Sequence, residues 1–337
     1  MTNLFKHAAC FTDIHFGNKN NSRQHNIDCE EFVIWFIEEA KLRGCETCIF
    51  LGDWHHHRAS VNVSTLNYSV SNLEKLSAAF ENVYLLVGNH DLFYREKREI
   101  NSFPYAKLMP NLHIINDQTL IKGDVALVPW LVEDEWKQMT KLKAKYVFGH
   151  FELPHFMMNQ IVEMPDHGGL NKGHFPNQEK VFSGHFHMRQ HSGNVTYTGN
   201  SFPHNYADAW DDDRGWMFLE WDKEPEFFPW DNAPSYKTIQ LSDLLDNPEK
   251  YLLPKSNIRV SLDINITYEE ASFIKDTFID TYALRDLSMQ QMRNTEHKDD
   301  SGIELHFETV DEIVISQLSQ LDGSFNNNLL VDIYNSL

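Results

Sequence analysis

Short apolar runs recur through the first two hundred residues, and five of them close on residue types that bind metals. They end at Asp13 and His15, at Asp53, at Asn89-His90-Asp91, at His150, and at His185 and His187. Runs this short and this apolar predict buried strands of a sheet, and ligands bind where such strands end. Helical patterns lie between them. One helix is predicted over Asp28–Leu42, with Phe32, Trp35, Phe36 and Ala40 on one stripe and Gly44 just past its end. A second is predicted over Val63–Phe80, leading into a strand at Asn82–Val87. From Asn194 onward strand patterns dominate, first around Val195–Asn200 and then over Gly215–Trp221. The alternation predicts an α/β protein with two facing sheets.

The pattern changes near Ser235. Ile258, Val260, Leu262, Ile264 and Ile266 alternate with Arg259, Ser261, Asp263 and Asn265, as on a half-buried strand. Thr267-Tyr-Glu-Glu270 is a capping box, followed at helical spacing by Ala271, Ile274 and Phe278. Leu284, Leu287 and Met289 offer a returning strand, which completes a β-α-β unit over residues 236–292. Residues 293–302 are polar and charged and read as a linker. Residues 303–337 carry two apolar stripes, Val310 to Leu321 and Leu329 to Leu337, broken by Asp322-Gly323-Ser324. The two short helices so predicted could dock on the β-α-β unit; the reading preferred is a hairpin finished by another protein.

At 337 residues the chain suits two or three domains. No apolar run approaches the roughly 20 residues that span a bilayer. A cleaved leader would remove Asp13 and His15, so no membrane association and a cytoplasmic location are expected. Cys10, Cys29, Cys45 and Cys48 are too few to frame a disulfide scaffold. Cys45 and Cys48 share a C-x-x-C spacing, but no second pair completes a zinc cage; buried, inert thiols are expected. A formal charge of −20 is unusual for a free-standing nucleic-acid binder. Two bound divalent cations would return about four charges locally. Further affinity for phosphates would have to come from a partner or from small basic patches; the cluster Arg95, Lys97 and Arg98 reads first as a solvated helix face, with phosphate-backbone contact beside the metals as its functional alternative. The acidic run Asp208, Asp211, Asp212 and Asp213 reads as a solvated loop, with a third cation site as the lesser alternative.

A lone Asp-x-His or Gly-Asp recurs by chance. The ordered set Asp13-x-His15, Gly52-Asp53, Gly88-Asn89-His90-Asp91, Gly149-His150 and Gly184-His185-x-His187 does not. Core hydrogen bonds could satisfy any one of these histidines, but that account is strained for five that all end apolar runs. Carboxylate, amide oxygen and imidazole suit Mn²⁺, Fe²⁺ or Zn²⁺, and the lack of thiolates disfavours structural zinc. A carboxylate can bridge two ions, and two such ions hydrolyse phosphate esters.

These motifs resemble those of the calcineurin-like metallophosphoesterase superfamily over roughly residues 7–220. The resemblance implies an α/β/β/α sandwich in residues 1–235, with a capping domain over 236–292 and a helical pair beyond. It implies two metal ions, with Mn²⁺ the first choice. Asp53 would bridge them, Asp13, His15 and His187 would complete one, and Asn89, His150 and His185 the other. His90 matches the histidine beside the scissile phosphate that assists catalysis, and Asp91 its acidic neighbour. Within the superfamily the chain is most similar to the SbcD-type recombination nucleases, in the version of tailed phages. Gly149-His150-Phe151-Glu152 and Tyr197-Thr-Gly199-Asn200-Ser201 carry that likeness. It implies a DNA endo- and exonuclease, a homodimer, and an SMC-like coiled-coil ATPase that binds residues 303–337. A phage-encoded chain would act in the host cytoplasm.

The sequence departs from the family where Trp54-His55-His56-His57 follows Asp53. His56, three residues on, is the expected substrate-positioning histidine, with His55 and His57 as alternatives. Asn200 stands where Ser or Thr is usual. A phosphomonoesterase or nucleotide phosphodiesterase on the same core, or a non-catalytic DNA-end scaffold for the ATPase, are the rival functions.

Overall fold

The structure, a computed structural model, describes residues 3–117 and 120–291; the expected linker and tail, 293–337, lie outside the described residues. The chain first lays down β1 (His7–Phe11), α1 (Asn18–Asn21), α2 (Arg23–Leu42), β2 (Thr47–Phe50), α3 (Val63–Ala79), β3 (Asn82–Leu86) and β4 (Leu112–Ile115). A second series follows: β5 (Leu120–Lys122), β6 (Val125–Val128), β7 (Tyr146–His150), β8 (Lys180–Gly184), β9 (Gln190–Ser192) and β10 (Val195–Tyr197). It then returns through β11 (Gly215–Glu220) and β12 (Glu226–Pro229). Two six-stranded sheets result, in the orders β12-β11-β1-β2-β3-β4 and β5-β6-β7-β8-β10-β9. In each, four consecutive strands are parallel; antiparallel β11 and β12 extend one side of the first sheet and leave β4 at its other edge, while antiparallel β5 and β9 close both edges of the second.

The period-two alternation of a strand divides the core. From the first sheet Ala8, Cys10, Ile49, Leu51, Tyr84 and Leu86 pack toward the second, meeting Val125, Leu127, Phe148 and Phe182. Their neighbours Ala9, Phe11, Cys48, Phe50, Val83 and Leu85 face outward, against Phe32, Val33, Phe36, Leu73 and Leu76 of α2 and α3. Burial on both faces is why these strands read as continuous apolar runs. The outer face of the second sheet is covered by 3₁₀ turns and by the segment that brings Phe151, Phe156, Met164 and Phe175 over Val147 and Val181. All four cysteines are free and buried, and burial pushes the Cys45 thiol up to about 12. Among the described residues no helix is long and apolar enough to cross a membrane.

Some boundaries differ from expectation. Helix α2 begins at Arg23, with Ser22 as its cap, five residues before the expected Asp28. Its first turn buries polar residues, so the apolar stripe does not reveal it. His25 Nε2 meets the His15 carbonyl at 3.0 Å, and Asn26 Oδ1 accepts the Gly17 N–H at 2.9 Å.

The third sheet is β13 (Ser235–Gln240), β14 (Ser256–Leu262) and β15 (Asp286–Gln291), all parallel, in the order β13-β14-β15. Between the strands lie α4 (Leu241–Asp246), α5 (Pro248–Tyr251) and α6 (Tyr268–Tyr282). Ile258 and Val260 are fully buried beneath α6, as the alternation predicts. The strand stops at Leu262, short of Ile266, because Asp263 turns away to accept the Ser242 N–H at 3.1 Å. Arg285 grips Asp28 of α2 in a bidentate ion pair, and Lys255 reaches Glu31 at 2.6 Å, so the small sheet is tied to the large ones.

Candidate metal centre

The carboxyl ends of β1, β2, β3, β7 and β8 converge, and each releases its polar residue there. The turn is sharp. Asp13, His15, Asp53 and His185 have φ of 51°, 53°, 63° and 86°, a left-handed backbone that such residues adopt at a cost. Glycine is required at two neighbouring positions. A Cβ on Gly52, at φ 109°, would stand 2.4 Å from His150 Nδ1, and one on Gly88 would stand 2.2 Å from Asp53 Oδ1.

The side chains thus brought together form two groups that share one carboxylate. Asp13, His15 and Asp53 each offer an atom within 4.8 Å of the other two, and so do Asp53, His150 and His185. His15 Nε2 stands 3.8 Å from both Asp13 Oδ1 and Asp53 Oδ2, while His150 Nε2 is 3.4 Å from Asp53 Oδ2. Asn89 Oδ1 lies 3.1 Å from His150 Nε2 and 3.1 Å from His185 Nδ1. His187 Nε2 is 3.9 Å from Asp13 Oδ1. All seven predicted ligand residues therefore face one centre.

The donors fit divalent cations. Two ligand atoms on one ion, each at ~2.1 Å, stand about 3–3.5 Å apart, close to the separations here. Asp13 Oδ1 is buried with no hydrogen-bond partner, although Asp13 Oδ2 is satisfied by the Thr12 hydroxyl and the His185 N–H. His150 donates from Nδ1 to the Leu51 carbonyl at 2.7 Å, which leaves Nε2, turned toward Asp53, as the nitrogen that takes either a proton or a metal. Burial alone would raise the Asp53 carboxyl, yet His150, His90 and His15 hold it well below the usual carboxylate range. Burial opposes charging of His150, but Asp53 and Asp13 lift it to about 9. Two divalent metals fit this centre, and its oxygen and imidazole donors would hold them.

His90 and His56 border the group. The His90 N–H holds Asp53 Oδ1 at 2.8 Å, and its Nδ1 meets the His56 carbonyl at 2.7 Å, so Nε2 remains free. The His56 ring stacks on that of His90, centroids 5.4 Å apart, and both group with His15. His55 instead points into the fold, bonded to Ser69 and Ser102 at 2.8 Å each. The His57 ring lies beyond His56, 4.9 Å away. Asp91 accepts the backbone N–H groups of Asp53, Trp54, His55 and Gly88, locking the second and third strand ends together. Burial and the Asp53 charge raise it to about 7 against the pull of those bonds.

No family model matches the chain. It is 29% identical over 202 residues to exonuclease subunit 1 of Enterobacteria phage T4, a match covering 57% of this chain and 58% of that protein. The ligand order and the strand-end geometry lie in the same part of the chain as the superfamily motifs. The ordered ligand set resembles that of the calcineurin-like metallophosphoesterases. Two solved structures are similar at low identity. The Pseudomonas putida nuclease MPE has 18% identity and a TM-score of 0.30, covering 53% of this chain and 61% of its own. A dimetal phosphatase from Danio rerio has 10% identity and a TM-score of 0.40, covering 63% and 91%.

Three contributions to the centre went unseen in the sequence. Glu152 Oε2 lies 3.2 Å from His185 Nε2 and takes Arg95 Nη2 at 3.2 Å, orienting the ligand imidazole. Arg58 has a buried, unpartnered Nε, and burial and the charge of Arg95 lower it. His204 is buried beside His15 and His187. Of the basic cluster, Arg98 is spent inside the fold on Glu135 and the Asn116 carbonyl. The acidic run is divided: Asp212 and Asp213 are exposed, as on a solvated loop, whereas Asp208 is buried. Asp208 and Asp211 neutralise the buried Arg214, which also bonds Asn200, and Asp213 pairs with Arg189. A cavity of about 190 Å³ opens beside His150 and Glu152, walled by Trp130, Trp136, Phe151 and Met164.

Proposed function

We propose that this chain is the nuclease subunit of a DNA end-processing machine, hydrolysing phosphodiester bonds in recombination and repair. The observation that carries hydrolysis is Asp53, one buried carboxylate common to both ligand groups. What favours DNA among phosphate esters is the likeness to a phage exonuclease subunit. That match spans 58% of the relative's length.

Asp53 would bridge two divalent ions, with Asp13, His15 and His187 around one and Asn89, His150 and His185 around the other. Mn²⁺ is the proposed metal, with Fe²⁺ or Zn²⁺ as substitutes. When bound, the pair supplies an acidified water and positive charge at the phosphoryl oxygens. His90, its Nδ1 tied to the His56 carbonyl, presents Nε2 and holds there the proton that the leaving oxygen needs. His56 stacks on His90 and keeps the substrate strand in register. Arg58 and Arg95 offer guanidinium edges to the flanking phosphates. Residues 236–292 act as the DNA-facing cap, and residues 293–302 link it to the tail. Residues 303–337 recruit an SMC-like ATPase, the complex being built on a homodimer in the cytoplasm. The recruited ATPase would supply the phosphate affinity that a chain of charge −20 lacks.

The test offers the full chain with Mn²⁺ single-stranded DNA, duplex ends and p-nitrophenyl phosphate side by side. Cleavage of single strands well above duplex ends is expected. Turnover of p-nitrophenyl phosphate without DNA cleavage would assign a phosphomonoesterase instead. Removing residues 303–337 should spare single-strand cleavage and abolish ATP-stimulated degradation of duplex ends. A truncated chain that still binds the ATPase would overturn the role of the tail.

A further inference from the structure

His204 lies in the loop that follows β10 and is 1% exposed, yet among the described residues neither ring nitrogen has a hydrogen-bond partner. A buried polar group left unmet is costly, and native interiors rarely leave one so. Nothing around the ring repairs this. The Phe202 ring covers one side at 5.0 Å, and the neighbouring His25 has committed Nε2 to the His15 carbonyl. The position is nonetheless held firmly. The His204 N–H donates to Asp208 Oδ2 at 2.8 Å, and Asp208 is paired in turn with Arg214. The ring is thereby aimed at two others, 5.5 Å from His15 and 5.3 Å from His187 between centroids. One nitrogen from each of the three lies within 4.8 Å of the others.

We propose that His204 joins His15 and His187 as a third imidazole toward the cation at the Asp13 end of the centre. The inference rests on the two-metal reading above and sharpens it. The Asp13 end becomes rich in nitrogen, whereas Asn89 gives the opposite end a neutral oxygen. Imidazole suits Mn²⁺, Fe²⁺ and Zn²⁺ better than Mg²⁺ or Ca²⁺, so the two ends differ in which ions they accept.

Metal-free full chain, titrated with Mn²⁺ by calorimetry, provides the test. Wild type should bind two ions. His204→Phe should bind one as tightly as wild type and the other at least about 10-fold more weakly. Its metal-free melting temperature should be no lower than wild type, since two unmet nitrogens are gone, while the rise on adding Mn²⁺ should shrink. His204→Gln repeats the titration should the phenylalanine disturb packing. Two ions bound at wild-type affinity by both variants would overturn the role of His204 and leave the two-metal centre standing. A wild-type chain that binds fewer than two ions would overturn the two-metal reading itself.

Discussion

The strand-end centre and the small third sheet obey opposite rules, although one chain builds both. The third sheet mostly follows local propensity, with regular alternation, a complete capping box, and helix α6 with none of its residues buried, although Lys255 and Ala283 take left-handed backbone. The centre breaks those rules. It buries Asp13, His15, Asp53, Asn89 and His150, and holds several of its residues in left-handed backbone. Burying charges is costly unless they are paired or coordinate a metal. The surrounding sheets offset that cost, because Asp91, Thr12 and the Leu51 carbonyl satisfy most of the remaining donors and acceptors. At the centre, departure from local preference goes with chemistry.

The sharpest way to break this comparison is Asp53→Asn. If one carboxylate serves both ligand groups, the variant should lose both ions and all hydrolysis. Metal analysis finding two tightly held ions in it would sink the shared-carboxylate account. His90→Gln comes next. The backbone N–H that holds Asp53 is untouched, so both ions and DNA affinity should persist while turnover falls about 10²- to 10⁴-fold. Unchanged turnover would shift the role to His56.

Smaller effects are expected in the scaffold. Arg285→Met leaves the buried Asp28 carboxylate without its partner and should cost about 2 kcal/mol in a denaturant melt. Metal content should stay at the wild-type level; a loss of ions would show that the small sheet props up the centre. The mildest change is Thr267→Ala, which removes the cap that accepts the Glu270 N–H. It should lower stability by about 1 kcal/mol and leave cleavage unaltered. A larger loss would mean that α6 carries more than its own turn.

Much of this was legible in the residue order. Strands buried on both faces appear as unbroken apolar runs, and a ligand at the end of each run must lie at a sheet edge, so Asp13, Asp53, Asn89, His150 and His185 could be named without coordinates. The capping box at Thr267 and the alternation at Ile258 are likewise local and were readable. The early start of α2 was not, because its buried residues there are His25, Asn26 and Asp28, whose partners lie in other segments. The same reason hid Glu152, His204 and the pairing of the acidic run with Arg214 and Arg189. It also left three adjacent histidines undistinguished until the fold turned His55 toward Ser69 and His56 toward His90. Sequence alone determines which chemistry is available and which strand ends carry it, since periodicity is a property of neighbours along the chain. Only the tertiary structure decides which imidazole is oriented by which carboxylate, because those contacts join residues tens to hundreds of positions apart, where no periodicity reaches.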